Sequence, residues 1–146
     1  GSDRSGITLT DLLADLRYTS VERLAAAGIQ VQWPLAPLQQ HAALTGAQRH
    51  SLTAFIQEVV TNVIRHAHAA HVVVDIFDSP QHEVILVVTD DGRGFDEQHV
   101  SFGDGLNNLH ARAAELGGHV RVQTRTLPDQ GTVVTLKVPL RGSAAA

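Results

Sequence analysis

Between Thr8 and Ala27 the apolar residues Leu9, Leu12, Leu13, Leu16, Leu24 and Ala27 return at helical spacing, and Gly28 follows where a helix stop belongs. The spacing predicts a first helix. Ile29 to Trp33 alternates and closes on Pro34, which predicts one short strand, and Leu35 to Gly46 reads as a loop. A second helix is expected from about Ala47, with Leu52, Ile56, Val59, Val60 and Val63 in one apolar stripe. On another face of that helix Glu58, Asn62 and Arg65 fall within roughly 60° of one another. Such a helix packs along one side and serves a site along the other.

Two valine-rich runs, His71 to Phe77 and Glu83 to Thr89, are separated by Asp78-Ser79-Pro80-Gln81 and read as a strand hairpin. A glycine-rich loop comes next. Leu106 to Leu116 then returns to helical spacing and stops at Gly117-Gly118. Val120 to Thr126 and Thr132 to Val138 read as strands joined across Pro128-Asp129-Gln130-Gly131. The order helix, strand, helix, two strands, glycine-rich loop, helix, two strands predicts the α+β class. Its expected form is a two-layer α/β sandwich, with three helices on one face of a mixed, mostly antiparallel sheet of about five strands.

Composition narrows the function classes. A chain of 146 residues suffices for one domain with a single core, so one site is sought. Hydrophobic residues at 43% and charged residues at 18% describe an ordinary globular chain. A formal charge of -4 argues against a general nucleic-acid-binding surface. No run approaches the roughly 18 apolar residues that span a bilayer, so no membrane contact and a cytoplasmic location are expected. Without cysteine there is no disulfide framework and no thiolate metal site. Gly1-Ser2 and Gly142-Ser143-Ala144-Ala145-Ala146 read as appended or frayed ends, which leaves residues 8–140 as the expected folded body and 1–7 and 141–146 outside it.

The candidate chemistry begins with glycines. Asp90-Asp91-Gly92-Arg93-Gly94 ends a strand, and Gly103-Asp104-Gly105 opens a helix. Glycine permits close approach of backbone to a ligand, and a helix start offers unpaired N–H groups to an anion, so Gly103 and Gly105 are placed to cradle phosphate. Neither glycine loop ends in Lys-Ser or Lys-Thr and no Gly-x-Gly-x-x-Gly occurs, which excludes the two commonest phosphate-loop patterns. Strand parity sets Val84, Leu86, Val88 and Asp90 on one face, so Asp90 follows an apolar column into the core side. A buried carboxylate there needs a donor, and an exocyclic amine such as adenine N6 would be one. Thr132 shares a face with Val134, Leu136 and Val138, so its hydroxyl is expected inward, beside Asp90 or an ordered water. Glu58 and Asn62, four residues apart, offer two oxygen ligands suited to Mg²⁺ that keeps several waters. Arg65 and His66 lie within a turn of Asn62, in reach of phosphate oxygens.

Taken singly, each feature has a plainer reading: glycines after strands make turns, and a Glu/Asn pair decorates a solvated helix face. His66, His68 and His71 do not make a zinc site on a helix, because residues two apart point to opposed sides and no carboxylate sits at ligand spacing. Asp104 and Asn107 are expected to cap the third helix, and Trp33 to pack. It is the ordered combination that points to a site.

That combination resembles the GHKL superfamily of ATP-binding domains, with the Bergerat-type fold, which includes histidine kinases, Hsp90-type chaperones, gyrase-type topoisomerases and mismatch-repair proteins. Gln57-Glu58-Val59-Val60-Thr61-Asn62-Val63-Ile64-Arg65-His66-Ala67 is similar to its N box, Asp90 to Gly94 to its first glycine box, and Gly103-Asp104-Gly105-Leu106 to its second. Gly131 to Leu140 is similar to its last strand. Ala111-Arg112-Ala113-Ala114-Glu115-Leu116-Gly117-Gly118 resembles histidine kinases paired with LuxR-type response regulators, a subgroup with nitrate, redox and oxygen sensors. Arg65 stands where lysine is frequent, His110 where this subgroup often has arginine, and the lid from Phe95 to Phe102 is short.

The resemblance implies that Asp90 binds the adenine amino group, Asn62 holds Mg²⁺, and Arg65 and His66 touch phosphates. Gly92, Gly94, Gly103 and Gly105 would frame the lid, and Glu58 would orient or activate at the γ-phosphate. The implied activity is transfer of the γ-phosphoryl group from ATP to a histidine on a separate dimerisation segment, and from there to a response regulator. No stretch here resembles that acceptor helix. Two other readings use the same pocket: a GHKL serine kinase or anti-sigma factor, and a nucleotide-dependent interaction module in which ATP only orders the lid. An ATPase clamp fits less well, since those set this pocket in longer chains.

Overall fold

Helix α1, Leu9–Ala26, is opened by Thr8, whose side-chain oxygen accepts the Asp11 N–H at 3.1 Å. Its buried residues Leu9, Leu13, Leu16, Ser20 and Leu24 follow helical steps. Helix α2, Gly46–Asn62, starts with a capping box: Thr45 Oγ1 accepts from Gln48 N–H at 3.0 Å, and Gln48 Oε1 accepts from Thr45 N–H at 2.9 Å. Helix α3 is Gly105–Glu115. This computed structural model describes residues 8–35, 38, 44–94, 105–125 and 128–140, and of residues 67 and 105–107 the backbone only.

The strands are β1 (Gln30–Gln32), β2 (His71–Asp78), β3 (Glu83–Asp90), β4 (His119–Thr124) and β5 (Thr132–Pro139). They form one five-stranded sheet in the order β1-β2-β3-β5-β4, with β1 parallel to β2 and the other pairs antiparallel. The expected two-layer α+β sandwich is therefore the fold. Alternation decides which face is covered: Val72, Val74, Val84, Leu86, Val88, Val120, Val134, Leu136 and Val138 are buried beneath the helices. Phe55 and Leu136 are almost wholly enclosed, and burial of such a side chain stabilises by about 2–3 kcal/mol. Trp33 packs in the same core, as do Leu38 and Leu44 from the segment expected to be loop. Ser51 Oγ donates to Glu115 Oε1 at 2.8 Å and ties α2 to α3.

One departure bears on the site. After Asn62 the helix continues as a π turn, Val63–Ala67, and ends at His68 in the left-handed region, φ 54°. Bonds from i to i+5 unwind the turn beyond 3.6 residues, so the angular grouping drawn for an α-helix does not extend past Asn62. At the far hairpin β4 ends at Thr124, after which Arg125 N–H donates to the Gly131 carbonyl at 2.8 Å; Thr126 and the lid, 95–102, lie outside the described residues.

Candidate functional site

The open end of β3 brings the predicted residues together. Asp90 is the last residue of β3 and pairs with Thr132, the first of β5. It is only 5% exposed, and its Oδ1 accepts the Gly92 N–H at 2.9 Å. Burial pushes the Asp90 carboxyl above its ordinary value, and the neighbouring Asp91 charge adds to this; backbone N–H groups of Gly92 and Thr132 and the charge of Arg125 pull the other way. Thr132 thus contributes its backbone N–H to the carboxylate. Two amide donors leave a carboxylate acceptor capacity to spare. Asp90 is therefore partly satisfied by the chain itself and still able to accept from a ligand amine.

Backbone around this carboxylate is packed to the limit. Gly131 has φ +128°, and a Cβ built on it would stand 1.8 Å from the Asp90 carbonyl oxygen. Gly94, φ +76°, would meet Thr124 Cγ2 at 3.1 Å and the Gly131 oxygen at 3.2 Å. These two positions need glycine, since an L side chain is strained at such φ and has no room. The glycine loop after β3 consequently lies directly against the β4–β5 hairpin.

The remainder of that loop reaches α2. Asp91 Oδ1 accepts the N–H groups of Ala70 and His71 at 2.8 and 2.9 Å, and Asp91 Oδ2 meets His71 Nδ1 at 2.7 Å. Desolvation works upward on the Asp91 carboxyl but is outweighed by the His71 N–H, the His71 ring and the Ala70 N–H, so it lies below its ordinary value. Arg93 Nε–H donates to the His66 carbonyl at 3.1 Å. Sequence reasoning left Asp91, Arg93, His71 and Gly131 out of the site. The Asp-Asp-Gly-Arg-Gly string contained two of them, but their partners lie 20 and 27 residues away.

Asp90, Gly92, Gly94 and Thr132 form one cluster, and Arg93 links it to His66. On α2, Glu58 and Asn62 are half-buried one turn apart, with Arg65 and His66 exposed beyond them. Val59, Val60 and Val63 share an apolar cavity with Val72 and Val88, which seats this end of the helix over the end of β3. Gly105 opens α3 with Leu106 in its first turn, and His110 is exposed on the next; Gly103 and Asp104 lie outside the described residues, as does the side chain of Asn107. Among the described residues no group of three or more His, Cys, Asp or Glu assembles, and no helix is long and apolar enough to cross a membrane.

The chain is similar to known proteins. The family described as histidine kinase-, DNA gyrase B-, and HSP90-like ATPase matches residues 47–142, which include every candidate residue above. The sensor histidine kinase LiaS of Bacillus subtilis is 32% identical over 133 residues, 90% of this chain and 33% of that one. The sensor protein VraS of Staphylococcus haemolyticus is 34% identical over 85 residues, 58% of this chain and 24% of its own. The chain thus spans a quarter to a third of these relatives' length. The ATP binding domain of PrrB from Mycobacterium tuberculosis superposes with a TM-score of 0.69 at 20% identity, covering 91% of this chain and 94% of that one; this likeness is one of fold.

Proposed function

Because the chain belongs to the family of histidine kinase-, DNA gyrase B- and HSP90-like ATPases, we propose that it binds Mg-ATP and presents the γ-phosphoryl group to a histidine on a separate dimerisation segment of a sensor histidine kinase. The observation that carries the nucleotide reading is Asp90: a buried carboxylate with raised pKa, spare acceptor capacity and a glycine-walled surround. Such a group suits the N6 amine of adenine, which donates and carries no charge.

In this reading Asn62 and Glu58 hold Mg²⁺, which when bound neutralises charge on the phosphates. Arg65 and His66 contact phosphate oxygens from the π turn, and Gly92, Gly94, Gly103, Gly105 and Leu106 frame the lid over the nucleotide. Glu58 orients the attacking histidine. Little bond-making chemistry falls to the protein; positioning and charge neutralisation carry the rate. The sensor-kinase names of LiaS and VraS support the phosphotransfer role, and the Arg112-Ala113-Ala114-Glu115-Leu116-Gly117-Gly118 segment supports a LuxR-type response regulator as final acceptor in the cytoplasm.

The test is titration with a fluorescent ATP analogue, with Mg²⁺ and with chelator. Asp90→Asn removes an acceptor and is expected to weaken binding roughly 10- to 100-fold, the worth of one hydrogen bond to a charged group. Asn62→Ala is expected to weaken binding about tenfold in Mg²⁺ and little in chelator. Binding that survives both changes undiminished would sink the assignment.

A further inference from the structure

His68 is a non-glycine residue held at φ 54° where α2 gives way to β2. Such a backbone persists only when its surroundings fix it. Two ties bracket it. Upstream, Arg93 Nε–H donates to the His66 carbonyl at 3.1 Å. Downstream, Asp91 takes the N–H groups of Ala70 and His71 and the His71 ring. Both ties come from the loop that begins at Asp90, one residue beyond it and three beyond it. A carbonyl in the last turn of a helix has no donor within the helix, and the Arg93 side chain supplies one.

We infer that Arg93 is a positioning residue of the nucleotide site: by holding the His66 carbonyl it sets the direction of the π turn, and with it the reach of Arg65 and His66 relative to Asp90. The inference rests on the nucleotide reading above. Its effect falls on the phosphate end of the ligand. The base end depends on Asp90, whose protein donors are Gly92 and Thr132 backbone, independent of the Arg93 side chain. The Asp91 tie stays in place when Arg93 is changed, so the fold is retained.

Two substitutions separate position from charge. In Arg93→Gln the side-chain Nε2 occupies the same place along the side chain as the arginine Nε, so the donor is kept and the charge lost. Arg93→Lys keeps the charge and has carbon at that place. Affinities of Mg-ATP and of adenosine are measured by displacement of a fluorescent ATP analogue from the whole chain. Arg93→Ala is expected to weaken Mg-ATP roughly tenfold and adenosine less than about twofold, the loss of one charge-assisted bond felt through the π turn. Arg93→Gln restores most of the Mg-ATP affinity, and Arg93→Lys restores less.

Recovery by lysine and not by glutamine overturns the inference, since Arg93 would then act by its charge on the phosphates. Equal losses for Mg-ATP and adenosine overturn it as well, as does no loss for either. Absence of Mg-ATP binding by the unaltered chain overturns the nucleotide reading and this inference together. Binding that is intact in Arg93→Ala yet weakened in Asp90→Asn overturns this inference alone.

Discussion

Asp90 and Asp91 are consecutive in the chain and opposite in circumstance. Asp90 turns under the helices, where burial raises its carboxyl and two backbone donors satisfy it only in part. Asp91 turns outward, where groups of Ala70 and His71 occupy both its oxygens and hold it below its ordinary value. The inner side of this sheet end keeps acceptor capacity for a ligand; the outer side spends its carboxylate on joining β2 to the glycine loop. Strand parity alone makes the division, since one residue step exchanges the faces. A carboxylate beside glycines is thus a candidate ligand group when it is buried and keeps acceptor capacity, and a structural one when donors from its own chain occupy both of its oxygens.

The strongest way to break this contrast is to crowd the inner side. Gly131→Ala places a methyl group against the Asp90 carbonyl at a φ that alanine rarely adopts. Strain and overpacking together are expected to cost about 3 kcal/mol, a fall in Tm of roughly 10 °C for a domain of this size. Nucleotide affinity is expected to fall with it, because the carbonyl belongs to the residue that presents the carboxylate. A variant with unchanged Tm in calorimetry would show that the β4–β5 hairpin is not pressed on Asp90.

The outer side is tested by Asp91→Ala. Removal of a carboxylate that accepts two backbone N–H groups resembles loss of a helix cap and is expected to cost about 1–2 kcal/mol. Denaturant unfolding reads this directly. The contrast predicts a smaller loss of ATP affinity than Asp90→Asn causes, since Asp91 acts only through the backbone of 70 and 71. Equal losses for the two variants would mean that both aspartates serve the ligand.

Much of this was legible beforehand because it follows from short-range rules. Period-two alternation in β3 and β5 carries Asp90 and Thr132 to the covered face. The stripe of Leu52, Ile56, Val59, Val60 and Val63 is buried as its spacing requires. The parts that escaped depend on partners far off in sequence. Nothing near Arg93 announces a carbonyl 27 residues earlier, and nothing in Gly131 shows its contact with Asp90 until the β3–β5 register is known. The π turn escaped for another reason: a helical wheel assumes i to i+4 bonding, and the Val63–Ala67 stretch departs from it without a proline or glycine to mark the place.

Acid titration gives the smallest effect and the sharpest contrast. Asp90 has a folded pKa raised above its ordinary value of 3.8, so the native state binds its proton more tightly than the unfolded chain does. Its contribution to stability is present below 3.8 and is lost as pH rises through the folded pKa. Asp91 has a folded pKa below 3.8, so its contribution is present above that value and lost as pH falls through the folded pKa. Tm differences between the unaltered chain and Asp90→Asn, without nucleotide, should therefore grow in favour of the unaltered chain as pH is lowered toward 3.8. Those against Asp91→Asn should shrink below it. Nucleotide changes the inner balance, since the ionised carboxylate accepts from an amine more strongly than the protonated carboxyl does; ATP affinity should fall as pH drops through the raised Asp90 value and should be insensitive to Asp91 over that interval. Slopes of the same sign for the two variants would contradict the assignment of one aspartate to the ligand and the other to the frame.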